Sequence, residues 1–143
     1  MKKGIVPLIL IIAVSLIVAL SCEKVEEALG ITISGNVSNA GQPVEGAYVL
    51  LVNNVSEIVA GSPLSNGMIT LGNGNYTIIQ VEDGTYYVVA VKDENGNTSY
   101  DLGTDLIGWY GHRDSLTGLT IPDPVVVSGE DTSGIDIDTM YIQ

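Results

Sequence analysis

The segment from Asp93 to Asp101 carries the side chains best suited to chemistry, because carboxylate and amide oxygens alternate along it. A hard cation such as Ca²⁺ needs several oxygen ligands at short range, and ligands at alternate positions of a curling loop converge on one point. The spacing therefore predicts a calcium site. Its predicted ligands are five side chains and the backbone carbonyl of one serine: Asp93, Asn95, Asn97, Ser99, Asp101 and Asp105.

Two departures from a calcium loop leave a second interpretation of this segment open. Thr98 stands where Gly normally makes the sharp turn, and Thr104 stands where a bidentate Glu is expected, although Asp105 follows it. A metal-free β-turn has the same Asp, Asn and Gly content. Ca²⁺ is the one cofactor that the sequence suggests, at a weak extracellular affinity of about 0.1–1 mM, and a plain turn is the alternative.

Trp109 and Tyr110 form the second candidate site. Aromatic side chains on an exposed loop stack on sugar rings or anchor a protein partner, so this pair predicts a ligand-binding surface. The chain has no Phe. The same two aromatics could therefore fill the core or cap one end of the fold instead.

His112 and the remaining acidic residues do not make a convincing reaction centre. Residues 112–115 contain the residue types of a catalytic triad, but adjacent residues rarely reach triad geometry, and no G-x-S-x-G motif is present. Asp136 and Asp138, near the acidic pair at 130–131, would hold a second cation or form a solvated strand face. The sequence predicts that the protein is not an enzyme, with a hydrolase using His112 or the acidic cluster as the alternative.

Cys22, the only cysteine, ends an apolar leader. Two lysines precede the apolar run Ile5–Leu20, which is typical of a secretory signal and shorter than the roughly 20 residues of a membrane span. The sequence VALSC at 18–22 resembles a bacterial lipobox, with Ala19 where Leu is more usual. The resemblance implies cleavage before Cys22, lipidation of its thiol and acylation of the new N-terminus.

These features divide the chain into a signal peptide at 1–21, a tether at 22–30 and a domain at 31–143. The membrane is the predicted partner through the lipid on Cys22. We expect a lipid-anchored protein of the bacterial cell envelope. Glu23 follows the cysteine, which favours the outer membrane or the cell surface.

The composition excludes several classes of function. After cleavage, three basic side chains remain against 17 acidic ones, and such a surface repels nucleic acid. One His and one Cys exclude a Cys/His zinc cluster and a disulfide framework. The length suits one domain of ordinary size.

The residues after position 30 predict an all-β domain. Short β-favouring runs alternate with turns rich in Gly, Asn and Asp, and no segment shows the apolar period of a helix. Residues 86–91 are apolar on both faces and predict a central strand, while Asp83-Gly84 predicts a hairpin to the run before it. The predicted strands are 31–37, 46–52, 56–60, 68–71, 76–81, 85–92, 106–110, 125–127 and 135–142.

Several motifs in this part of the chain occur together in one family. They are ISGNV at 33–37, GQPVEGAYV at 41–49, GNYTI at 74–78 and DGTYYVVA at 83–90, then DENGNTSYD at 93–101, GWYG at 108–111, PVVVSG at 124–129 and GIDI at 134–137. The set resembles the carboxypeptidase regulatory-like, or transthyretin-like (prealbumin-like), domain. The resemblance implies an antiparallel β-sandwich of seven to eight strands, here preceded by a signal helix, and a structural, adhesive or binding role without catalysis.

The sequence favours a non-enzymatic, lipid-anchored envelope protein that acts as a structural or interaction module. The alternative is a module that binds a glycan or peptide through Trp109 and Tyr110, with Ca²⁺ ordering the neighbouring loop. In both cases the expected partner is an envelope glycan or protein, and not a nucleic acid.

Overall fold

A computed structural model describes residues 29–143, and residues 31–143 form one compact unit. The predicted signal peptide at 1–21, most of the tether at 22–30 and the lipidation site Cys22 lie outside the described residues. In the described part of the chain, no helix is both long enough and apolar enough to cross a membrane. The unit is all-β, as the sequence predicts.

Twelve short strands and one 3₁₀ turn build the unit, and every strand ladder within residues 29–143 is antiparallel. The strands are β1 (Ile33–Asn36), β2 (Ser38–Asn39), β3 (Gln42–Pro43), β4 (Tyr48–Val52), β5 (Met68–Ile69), β6 (Asn75–Ile78), β7 (Gly84–Lys92), β8 (Leu106–Trp109), β9 (Gly111–Arg113), β10 (Thr120–Pro122), β11 (Val125–Val127) and β12 (Tyr141–Ile142), and the 3₁₀ turn is Val55–Glu57. Seven to eight strands were expected, and the structure divides the chain into more and shorter pieces.

The larger sheet has the strand order β12-β8-β7-β4-β5, and β11 pairs with the first residues of β7. The central position of β7 confirms the prediction from its two apolar faces. Val88 and Ala90 point to one side of the sheet, Val89 and Val91 point to the other, and all four are fully buried. Alternate side chains of a strand reach opposite faces, so only a sequence without polar residues at these positions fits between two apolar layers.

The second layer consists of β6, β1 and the segment 132–137, which runs parallel to β1 through isolated bridges. The Ser34 N–H donates to the Thr132 carbonyl (2.9 Å), and the Ile137 N–H donates to the Asn36 carbonyl (2.8 Å). Gly35 is required between them, because the Ile135 carbonyl occupies the place that a side chain at position 35 would take. The two layers together give the predicted β-sandwich.

Two hydrophobic cores lie on opposite faces of the larger sheet. The first fills the space between the two layers, and its buried members are Ile33, Val37, Val49, Tyr76, Val81, Val88, Ala90, Val125, Val127, Ile135, Ile137 and Met140. The second lies under the loops 53–67 and 93–105, and its buried members are Val52, Leu64, Val89, Val91, Tyr100, Ile107 and Trp109. The candidate calcium loop is thus part of the cover over the second core.

Two predicted strands are wrong in part or in full. Residues 56–60 form no strand, because the Asn54 side chain accepts the Ser56 N–H (3.0 Å) and caps the 3₁₀ turn. Residues 135–142 form a strand only at Tyr141–Ile142. The segment pairs first with β1 and then with β8, and therefore changes layer midway.

The predicted hairpin at Asp83-Gly84 is also wrong. β6 pairs with β1, whereas β7 pairs with β4, β8 and β11, so the chain crosses between the layers at this point. The crossing is fixed by the Val81 N–H, which donates to the Ile31 carbonyl (2.9 Å). Asp83 accepts the Gly129 N–H (2.7 Å) and so joins a second loop rather than closing a hairpin.

The β9–β10 hairpin interrupts the pairing along β7. Trp109 lies opposite Val89, the chain then leaves as the hairpin, and it returns with Val125 opposite Tyr86. The Tyr110 N–H still donates to the Val88 carbonyl (2.9 Å), so residues 111–124 form an excursion between two stretches that bond the same central strand.

Candidate functional site

The loop 93–105 joins the two central strands β7 and β8, and its polar groups bind one another closely. Asp93 accepts the Gly96 N–H through Oδ1 (2.7 Å) and the Thr98 N–H through Oδ2 (2.7 Å). Desolvation raises the pKa of Asp93, but backbone hydrogen bonds, led by the one from Thr98, outweigh it and hold the pKa below its ordinary value. Asp93 therefore stays ionised and organises the first turn of the loop.

Two asparagine amides meet the carboxylate of Asp101. The side-chain NH₂ groups of Asn95 (2.8 Å) and Asn97 (2.5 Å) donate to Asp101 Oδ2. The amide oxygen of Asn95 accepts the Asn97 N–H (3.0 Å), and that of Asn97 accepts the Ser99 N–H (2.8 Å). These side-chain oxygens are thus turned toward the backbone of the loop.

Asp105 closes the loop from inside the protein. It is fully buried, and its two oxygens accept the Glu94 N–H (3.0 Å) and the Asp101 N–H (2.9 Å). A buried carboxylate is tolerated only where such donors replace water. Asp105 therefore joins the two ends of the loop.

The structure brings the six predicted calcium ligands into one loop, but not as an open cluster of carboxylates. Among residues 29–143, no group of three or more His, Cys, Asp or Glu side chains is arranged to hold a metal ion. The hydrogen bonds just described use the same oxygens that a cation would need. Calcium binding at this loop therefore stays a prediction from the sequence.

The predicted aromatic pair is divided between the two cores. Trp109 is 7% exposed and belongs to the second core, while Tyr110 is half-buried and packs against the first. Successive residues of a strand point to opposite faces, which explains the separation. The two rings do not form a joint stacking surface, and Trp109 fills the core.

Trp109 nevertheless borders a cleft of about 250 Å³ between the β9–β10 hairpin and the C-terminal segment. Arg113 from β9 reaches this cleft together with Asp136 and Asp138. The structure thus brings these two aspartates to one face, as their spacing predicts, and adds a cation that the sequence reasoning did not connect with them. Asp136 is also tied to the fold, because it accepts the Asn36 N–H (2.9 Å).

His112 pairs with a residue that the sequence reasoning missed. Its Nδ1 lies 2.9 and 3.0 Å from the two oxygens of Asp123, and both side chains are exposed. Asp123 follows β10, which pairs with β9, so only knowledge of the hairpin register would have suggested it.

Asp114, the acidic neighbour of His112 in sequence, shapes the turn of the hairpin instead. It accepts the N–H (2.7 Å) and the hydroxyl (2.8 Å) of Thr117 and the Leu116 N–H (3.0 Å). These bonds, the Thr117 N–H first, lower the pKa of Asp114. The triad types at 112–115 therefore serve separate purposes in the hairpin.

Comparisons with family models, with curated proteins and with solved structures find no match to this chain. The resemblance to the carboxypeptidase regulatory-like domain therefore stays a prediction from the motifs. The all-β, two-layer architecture stands on the structure alone.

Proposed function

We propose that this chain is a lipid-anchored protein of the bacterial cell envelope, and that residues 31–143 act as a structural or interaction module without catalysis. The observation that carries the proposal is the position of the only cysteine. Cys22 lies at the junction between the apolar leader and a short polar segment that leads directly into the compact β unit.

The physical properties of the two parts support this division. Each buried CH₂ of an acyl chain contributes about 0.8 kcal/mol, and two or more chains anchor a protein stably. The acidic body has little electrostatic affinity for anionic headgroups, so a lipid anchor would supply the attachment that its surface does not. The dense hydrogen bonding of the loops favours a scaffold over a moving lid.

Metabolic labelling with an alkyne fatty acid tests the anchor. The full-length chain, expressed in a bacterium, should carry the label, and its N-terminal peptide should begin at residue 22 with the mass of the attached lipids. The Cys22→Ser variant is the matched control, because it removes the only thiol. A wild-type chain that keeps its leader and lacks label would contradict the proposal.

A second candidate function is Ca²⁺-assisted binding of a glycan or peptide, and the cleft beside Trp109 is the observation that favours it. The guanidinium of Arg113 and the two carboxylates offer hydrogen bonds to a polar ligand, and the buried Trp109 adds an apolar edge to the cleft. A glycan array probed with the full-length chain, with CaCl₂ and with EDTA, tests this function. Arg113→Ala should reduce any binding in the cleft, and uniform absence of binding would leave only the first proposal.

A further inference from the structure

Three Asn-Gly pairs occur among residues 29–143, and one of them lies in the loop 93–105. They are Asn66-Gly67, Asn73-Gly74 and Asn95-Gly96. Glycine has no side chain to shield its backbone nitrogen, so this nitrogen can attack the amide carbon of the preceding asparagine and close a cyclic imide. All three asparagines are exposed. The surroundings of each pair therefore decide which of them reacts.

The Gly96 nitrogen is the only one of these three glycine nitrogens that bonds a carboxylate. Its N–H donates to Asp93 Oδ1 (2.7 Å), whereas the N–H groups of Gly67 and Gly74 donate to backbone carbonyls (2.9 and 2.8 Å). A carboxylate can accept the proton that this nitrogen must lose, and a backbone carbonyl cannot. The other oxygen of Asp93 accepts the Thr98 N–H (2.7 Å), which fixes the carboxylate in this position. Asp93 is therefore placed as a general base.

The Asn95 side chain is folded over the nitrogen that would attack it. Its Oδ1 accepts the Asn97 N–H (3.0 Å), which closes a turn around the Gly96 peptide and brings the amide carbon towards the Gly96 nitrogen. The same N–H would stabilise the negative charge that develops on this oxygen during the attack. Apart from the adjacent residues, no described atom lies within 4 Å of the place of a side chain at Gly96, so the approach is open. Nucleophile, base and oxyanion donor thus meet at one amide.

We propose that the loop 93–105 deamidates its own Asn95, with Asp93 as the base. The Gly96 nitrogen bonds to the Asn95 amide carbon while its proton passes to Asp93, and the bond from that carbon to the amide nitrogen then breaks. The leaving nitrogen takes the proton back from Asp93 and departs as ammonia. Water at the exposed surface then opens the imide at either carbonyl carbon and leaves aspartate or isoaspartate at position 95.

The product differs from the starting loop in charge and in hydrogen bonding. The Asn95 NH₂ group donates to Asp101 Oδ2 (2.8 Å), and a carboxylate at position 95 would replace this donor by a negative charge. Two carboxylates this close repel each other. The reaction would therefore loosen the loop that covers the second core, once per molecule and in one direction. It does not depend on the lipid anchor or on the proposed role as an interaction module.

Peptide mapping by mass spectrometry tests the proposal on the full-length chain in detergent, incubated at neutral pH. Deamidation replaces NH₂ by OH and changes the mass of the peptide, and chromatography separates the aspartate and isoaspartate products. We expect Asn95 to react at least about tenfold faster than Asn66 or Asn73, since a positioned base contributes roughly 10²–10⁴-fold in enzymes.

Asn73 and unfolding in urea supply the internal controls. The Asn73 side chain forms the same turn, because its Oδ1 accepts the Asn75 N–H (3.1 Å), but the nitrogen of Gly74 donates to a backbone carbonyl. A faster reaction at Asn95 than at Asn73 therefore isolates the effect of the base. In urea, where the fold is lost, the three asparagines should react at similar rates, and Asn95 should react more slowly than it does in the folded chain.

Protein variants test the role of Asp93 directly. Asp93→Asn should slow deamidation of Asn95 by about tenfold or more, because an amide cannot take the proton. Asp114→Asn is the matched control, since it makes the same change in a carboxylate that holds the turn of the β9–β10 hairpin, and it should leave the rate unchanged. Asn95→Asp reproduces the product and should lower the melting temperature by a few degrees. Circular dichroism checks that the variants keep the β fold.

The proposal fails if Asn95 reacts no faster than Asn73, or if Asn95 reacts faster in urea than in the folded chain. A rate that stays constant or rises in Asp93→Asn would also overturn it, because the hydrogen bonds of Asp93 would then protect the loop instead of promoting the reaction. An Asn95→Asp variant as stable as the wild type would contradict the loosening of the loop. Fatty-acid labelling of Cys22 is independent of all these results, so failure here and failure of the lipid anchor can be told apart.

Discussion

Asp105 shows how one side chain can connect a surface loop to the interior of the domain. Its carboxylate is fully buried and accepts one N–H from each end of the loop 93–105. The loop in turn contributes Tyr100 to the second core and covers the rest of it. The acidic residues of this loop therefore differ in purpose, and the buried one supports the fold.

Replacing Asp105 by alanine should destabilise the domain by about 1–3 kcal/mol, because two partly buried N–H groups would lose their acceptor. Urea unfolding of the full-length chain in detergent measures this loss. Asp123→Ala is the control, since the exposed Asp123 side chain bonds only the exposed His112 ring, and it should change stability little. Equal losses in the two variants would contradict the role given to Asp105.

Asp93 should make stability depend on acid pH. Backbone hydrogen bonds hold its pKa in the folded state below the ordinary value, despite desolvation, which raises it. Its contribution is therefore complete above the unfolded pKa of about 3.9 and is lost as the pH falls through the lower folded pKa. Unfolding free energies between about pH 2 and 6 should fall less steeply for Asp93→Asn than for the wild type. If the unfolding free energies of the two proteins fell equally with pH, Asp93 would not be the source of the acid sensitivity.

At the level of elements, the C-terminal segment 132–137 holds the second layer together. It runs beside β1, and the Tyr76 hydroxyl of β6 donates to the Ile135 carbonyl across β1. Burial, with smaller contributions from Asp136 and Tyr110, raises the pKa of Tyr76. The hydroxyl therefore stays protonated and able to donate. The contacts among β1, β6 and the segment 132–137 thus depend on the close approach of the Ile135 backbone to Gly35.

Gly35→Ala should disrupt this layer and destabilise the protein by several kcal/mol, since the new methyl group would overlap the Ile135 backbone. Thermal unfolding followed by circular dichroism measures the effect. Gly72→Ala is the matched control, because its methyl group would meet only the flexible Glu45 side chain at an ordinary contact distance of 3.7 Å. If Gly35→Ala were as stable as Gly72→Ala, β1 and the segment 132–137 could move apart without cost, and the role given to Gly35 would be wrong.

The sequence predicts well those elements whose burial can be inferred from the polarity of their own residues. β7 is apolar on both faces, so its central position follows directly. The hairpin predicted at Asp83-Gly84 fails because a turn sequence does not reveal whether the next strand returns to its neighbour or crosses to another layer. The pairing of residues 132–137 with β1 depends on contacts between residues about 100 positions apart in the chain. Local sequence patterns do not predict such contacts.

The candidate site follows the same division. The sequence identifies the Asp- and Asn-rich loop and the proximity of Asp136 to Asp138, because both lie within a few residues. It does not identify Asp123 as the partner of His112, or Arg113 as part of the cleft with Asp136. Those pairs form only when the hairpin folds and meets the C-terminal segment.

At the scale of the whole molecule, acidic charge dominates the surface. Lys92 and Arg113 are the only lysine and arginine among residues 29–143, against 14 acidic side chains. The Lys92 ammonium donates a hydrogen bond to the Glu45 backbone carbonyl (2.8 Å). Such a body opposes its own compaction through like-charge repulsion.

The melting temperature should therefore rise by a few degrees as NaCl increases from about 10 to 150 mM, since the Debye length shrinks from about 30 to 8 Å. Differential scanning calorimetry measures the shift. KCl at the same concentrations should give the same result, which separates screening from binding of a particular cation. A melting temperature that stays constant or falls would mean that favourable charge pairs outweigh the repulsion.

The excursion of the β9–β10 hairpin from β7 has a practical consequence. Because the chain leaves after Tyr110 and resumes beside the same strand at Val125, the register of the large sheet is independent of what the hairpin contains. The turn at Leu116 should therefore accept an inserted epitope or fluorescent reporter without loss of the fold. A tag placed there would label the protein without changing the residues before β1 or after β12.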